Sequence, residues 1–165
     1  DAIFNLIKSG DNELFKKLCE SFDFIFPYIK ERIIKDFVKL INKDDLKITF
    51  EFAKIYSLDF EDLIVKSWLK FANEDLTDEI LNLLEKGTNE QKAYAAVYFR
   101  SIKDPLALIE LNKNAFNTFE PLKVNCAQAL SAFEDKESGF PSTLISKLPK
   151  ALTSTLLFTS LSSKK

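Results

Sequence analysis

At 165 residues the chain is long enough for one domain with a sizeable core, and its net charge of −2 excludes attraction to nucleic acid over the whole surface. Apolar residues make up 46% and charged residues 29%, a balance that excludes disorder along the entire length. Three glycines, five prolines and sixteen phenylalanines suit helices with ring-filled seams better than a glycine-rich sheet.

Residues 1–11 read as the second half of a helix, with Ala2, Ile3, Leu6 and Ile7 apolar and a turn at Ser9-Gly10-Asp11. Asp11 or Asn12 caps a helix to about Phe24 with Leu14, Phe15, Leu18 and Phe22 on one side. Pro27 makes a corner, and a helix over about 28–41 follows. The polar turn at 42–45 starts a helix over about 44–56, and Ser57 with Asp59 opens another over 60–72. A helix from Asp75 or Thr77 stops at Gly87, and Asn89 caps the next, which contains KAYAAVYFRSI. Asp104-Pro105 starts a helix that frays near 114–117, and Pro121 opens one ending near Phe133.

The second helix of each pair recurs every 31 residues, as KERIIKDFVKL at 30–40, EDLIVKSWLKF at 61–71, KAYAAVYFRSI at 92–102 and KVNCAQALSAF at 123–133. Four columns are apolar in these copies: Ile33, Ile64, Ala95, Cys126; Ile34, Val65, Ala96, Ala127; Phe37, Trp68, Phe99, Leu130; and Leu40, Phe71, Ile102, Phe133. Offsets of 0, 1, 4 and 7 mark helices buried along one stripe, and one pair alone cannot bury it, so neighbouring pairs must stack. The expected fold is all-α, with about four helix pairs over 1–137, the first partial. Residues 138–165 hold no acidic residue and place Leu144, Leu148, Leu152 and Leu156 four apart, which predicts a capping helix or two over about 142–158 within the same domain, divided at Pro149, and a loose tail.

Helical pairs of 31 residues, Asp104-Pro105 at the start of a first helix, and Lys92, Ala95, Ala96, Phe99 repeated as Lys123, Cys126, Ala127, Leu130 resemble the HEAT and armadillo class of repeats. The resemblance implies a right-handed α-α superhelix whose second helices line a concave groove. It also implies a scaffold or adaptor role, with a minority of relatives binding nucleic acid or acting as lyases or DNA glycosylases.

The chain has no histidine, which removes histidine metal sites and Ser-His-Asp or Cys-His catalysis. Neither dinucleotide-binding nor P-loop glycine patterns occur. Cys19 and Cys126 read as reduced core thiols. No catalytic residue, metal site or cofactor is therefore expected. Lys35 aligns with Lys66 and Lys39 with Lys70, a cationic patch suited to an acidic protein or peptide, while Tyr94, Tyr98 and Arg100 are peculiar to their repeat and offer an anchor. The expected function is a non-enzymatic scaffold; the alternatives are nucleic-acid binding, including a DNA-glycosylase-type repair enzyme, and oligomerisation through the C-terminal helix. Neither a transmembrane run nor a signal-like start is present, so a cytoplasmic location is expected, with the native start upstream of Asp1 because no methionine occurs.

Overall fold

The computed structural model describes residues 11–22 and 24–134, together with Asn5 and Ser9. The expected half-helix at the N-terminus and the expected cap over 142–158 lie outside these residues. The described chain is all-α and strand-free, with eight α-helices.

Helix α1 (Asn12–Phe22) begins where Asp11 Oδ1 accepts the Glu13 and Leu14 N–H groups at 3.0 and 3.1 Å, an N-cap that satisfies otherwise orphaned donors. Its buried residues are Phe15 and Phe22, whereas Leu14, expected on the same stripe, is 38% exposed. Pro27 sits at the first position of α2 (Pro27–Leu40), where its missing N–H breaks no helical bond. An Asn42–Asp45 capping box and a short 3₁₀ turn lead into α3 (Leu46–Phe52), which ends earlier than periodicity predicts.

Helix α4 (Leu58–Lys70) buries Phe60, Leu63, Ile64, Val65 and Trp68. Asn73 accepts from the Leu76 N–H to cap α5 (Glu74–Lys86), which stops at Gly87. A Cβ there would lie 2.5 Å from the Leu83 carbonyl oxygen, so only glycine fits this close approach. Thr88, one residue before the expected cap, forms a capping box with Gln91 at the start of α6 (Asn89–Ile102). The chain then turns through Lys103, at a φ of 58°, into a 3₁₀ turn at Pro105–Ala107, α7 (Leu108–Asn114) and α8 (Glu120–Glu134).

The helices form two rows. In one, α2, α4, α6 and α8 each pack against the next; in the other, α1 meets α3 and α5 meets α7. Within pairs, α3 lies on α4, α5 on α6, and α7 on α8. The first and third apolar columns follow the expected burial through α4 and α6: Ile64, Ala95, Cys126, Trp68 and Phe99 are all buried. The fourth column is buried fully only at Phe133; Leu40 is 50% exposed because the chain leaves the stack there and Ile41 turns inward instead. The second ends on exposed Ala127.

Helix α6 occupies the centre. Gln91 and every residue from Ala93 to Phe99 are buried, among them Tyr94, Tyr98 and Phe99 at full burial, while Lys92 is half-buried. A helix surrounded on all sides needs no polar face, and the uncharged run Ala93–Phe99 supplies none. Among the described residues no helix is long and apolar enough to cross a membrane, and no buried side-chain polar atom lacks a hydrogen-bond partner.

Candidate partner-binding surface

Tyr94 and Tyr98 are not the outward anchors expected of them. The Tyr94 hydroxyl accepts the Ser57 N–H at 2.9 Å and faces the Ile55 and Ser57 carbonyl oxygens at 3.0 and 3.2 Å, closing the turn between α3 and α4. Tyr98 shares a 2.9 Å hydrogen bond with Thr77 of α5. Both hydroxyls are thus engaged inside the fold, and burial raises both above the ordinary tyrosine range.

A groove at this repeat is closed by contacts that pass over α6. Tyr56 donates to Glu61 Oε2 at 3.0 Å, and Asn125 Nδ2 of α8 donates to the same oxygen at 3.2 Å and to the Ala93 carbonyl at 3.2 Å. The Tyr56 ring meets Tyr94 at 5.2 Å and Phe119 edge-on at 6.0 Å. Burial, then the Glu61 charge, pushes Tyr56 up to about 12, so it stays a hydrogen-bond donor to the carboxylate at neutral pH. Arg100, half-buried, donates to Gln128 Oε1 at 2.5 Å and links α6 to α8.

The four lysines divide by role. Lys70 Nζ donates to the carbonyl oxygens of Val38, Lys39 and Ile41 at 2.9, 3.0 and 2.8 Å, so it caps the C-terminus of the neighbouring α2 and complements its dipole. It also lies 5.0 Å from the Phe71 ring centroid. Lys70→Met should keep the alkyl packing and lose this cap, lowering stability by about 1 kcal/mol in urea unfolding. A loss below a few tenths would show that water replaces the ammonium without cost. Lys66 pairs with Asp62 at 2.7 Å on the exposed face of α4. Lys35 and Lys39 are exposed, and no acidic side chain among the described residues lies within ion-pair distance of either.

On α2 these two lysines continue a stripe that starts with Tyr28 and Arg32, at spacings of four, three and four. Tyr28 is 69% exposed, and Phe24 and Phe26 in the preceding corner are 90% and 67% exposed. The Phe26 and Tyr28 rings stack at 6.0 Å. Sequence reasoning passed over these aromatics, although four large apolar residues around a corner proline, in FIFPY, are more than a turn needs.

An open cleft of about 340 Å³ lies between α3 and α5, with Leu46, Phe50, Phe71 and Leu76 as apolar lining and Lys43, Lys47, Asp44, Asp75 and Glu79 around them. Its charges are of both signs, and no serine, threonine, cysteine or tyrosine lines it. No group of three or more metal-ligating side chains occurs among the described residues. Burial pushes Cys19 and Cys126 up to about 12, which keeps both thiols protonated at neutral pH. Comparison with known proteins gives no match to a family model, a curated protein or a solved structure.

Proposed function

We propose that the chain is a non-enzymatic HEAT-like repeat scaffold, a right-handed superhelix of helix pairs, that binds an acidic protein or peptide segment along the outer face of α2. Two rows of helices and columns recurring at 31 residues support the repeat reading. The observation that carries the binding reading is the continuous exposed stripe of Tyr28, Arg32, Lys35 and Lys39, bordered by Phe24 and Phe26. The aromatics supply rigid apolar area for an anchor side chain, and the cations set orientation and association rate. Lys66, on the equivalent position of α4, extends the charge sideways. The anchor role expected of Tyr94, Tyr98 and Arg100 passes to these aromatics.

Nucleic acid fits this stripe less well, because exposed Glu31 and Asp36 interrupt it and Asp36 lies 3.8 Å from Arg32. Fluorescence anisotropy with a labelled glutamate-rich peptide carrying one phenylalanine distinguishes the readings. Lys35→Glu with Lys39→Glu should weaken binding about tenfold or more, and Phe26→Ser with Tyr28→Ser should do so independently. Binding that both double variants leave unchanged would remove the surface from consideration. Duplex DNA bound more tightly than the peptide, with steep salt dependence, would instead support nucleic-acid binding.

A further inference from the structure

The last described repeat carries an apolar surface that the repeat before it does not leave open. In α6, Ala93, Ala96 and Val97 are all buried, and α6 makes the broadest helix pairing of the molecule with α8. Asn125 reaches the Ala93 carbonyl and Arg100 reaches Gln128 across the same seam. One repeat later the same columns hold Val124, Ala127 and Gln128, and all three are exposed. The side of α8 that carries Val124 and Ala127 is therefore left exposed among the described residues, with Gln128 at its edge bonded to Arg100 of α6.

Helix α7 continues this surface. Asn114 Nδ2 points toward the Leu84 carbonyl of α5, which fixes the inward side of α7. Ile109 lies away from that side by helical periodicity and is 63% exposed, and Phe116, in the turn after α7, is 67% exposed. Ile109, Phe116, Val124 and Ala127 are thus exposed apolar residues of α7, α8 and the turn between them.

We propose that residues 142–158 of the same chain dock on this surface, with Leu144, Leu148, Leu152 and Leu156 against Ile109, Phe116, Val124 and Ala127. The chain continues for 31 residues past Glu134, one repeat length, and its leucines stand four apart on either side of Pro149, Leu144 with Leu148 before it and Leu152 with Leu156 after it, two to a face on each short segment. Residues 135–141 can span roughly 23–25 Å, enough to return the chain from the end of α8 across its open side. Small residues at Ala127 and Ser131 permit the close approach that Ala93 and Ala96 permit at the α6–α8 seam. The inference is independent of the binding reading for α2, at the other end of the stack.

The test uses the full chain with Val124→Asp and Ala127→Glu on the face, Leu148→Asp and Leu152→Asp on the segment, and all four changes together. Far-UV circular dichroism confirms that each variant remains folded. Each pair should lower the melting temperature by about 4 °C or more, and the four together should lower it little further, since both pairs break one contact. Sedimentation should give a monomer throughout. Losses that add, or a segment pair without effect, overturn the proposal. A dimer that the face pair converts to monomers also overturns it, by assigning the surface to a second copy.

Discussion

Trp68→Ala is expected to lower unfolding free energy by about 3–5 kcal/mol, a third or more of the stability typical of a domain this size. Trp68 is fully buried at the junction of three helices. Its ring lies 5.3 Å from Phe50 of α3 and 6.4 Å from Tyr98 of α6, and its Nε1–H donates to Thr49 Oγ1 at 2.8 Å. Truncation removes ring contacts on both sides of α4 together, and the void is lined by residues held from three separate helices, so it cannot collapse readily. Trp68→Phe keeps most of the volume and loses the hydrogen bond. Because Thr49 still donates to the Leu46 carbonyl at 2.6 Å, the cost should fall to about 1–2 kcal/mol. Trp68 is the only tryptophan, so unfolding must be followed by circular dichroism. Equal costs for the two variants would mean that the indole N–H, and not packing, dominates.

The helices were legible because their information is local. Caps at Asp11 and Asp104, the stop at Gly87 and the apolar columns all act within a turn or two of themselves, whereas α5 starts at Glu74 on an Asn73 cap, ahead of the expected Asp75 or Thr77. The surface was legible only in part. Treating Tyr94, Tyr98 and Arg100 as outward assumed that α6 keeps a free side, as an amphipathic helix at the edge of a stack does. Whether it does depends on Glu61 and Asn125, which meet over it although 64 positions apart in sequence, and no periodicity within α6 records that meeting. The uncharged run from Ala93 to Phe99 was the available hint, since an exposed side rarely spans two turns without a charge.

Lys70 illustrates the opposite case. Its alignment with Lys39 implied a shared solvated face, but a four-carbon stem lets the ammonium reach the open carbonyls at the end of α2, a site created only by packing α4 against α2. Lys35 and Lys39 remained outward because nothing packs over that side of α2 among the described residues. Repeat columns therefore predicted backbone equivalence better than side-chain role.

Tyr94→Phe should cost about 1–3 kcal/mol at neutral pH although it removes a single oxygen. The hydroxyl is the acceptor of the Ser57 N–H, and phenylalanine would leave that donor in a turn where the aromatic rings of Tyr56 and position 94 restrict water. The same burial makes the hydroxyl sensitive to alkali. Burial raises the folded-state pKa of Tyr94 and Tyr98, takes Tyr56 to about 12 from an ordinary 10, and takes Cys19 and Cys126 to about 12 from 9. Between the unfolded and folded values the unfolded chain has released these protons and the folded chain has kept them. Stability is therefore intact below about pH 9 and falls as pH rises toward 12, by up to ~1.4 kcal/mol per pH unit for each fully engaged group, with Tyr56 and Cys19 contributing less because they are partly exposed. Urea unfolding at intervals from pH 8 to 11.5 should show this decline in the wild type and a shallower one in Tyr94→Phe, which starts lower but has one proton fewer to lose. Parallel declines would place the alkaline sensitivity in the other four groups, and a Tyr94→Phe protein as stable as wild type at pH 7 would mean that water reaches the Ser57 amide.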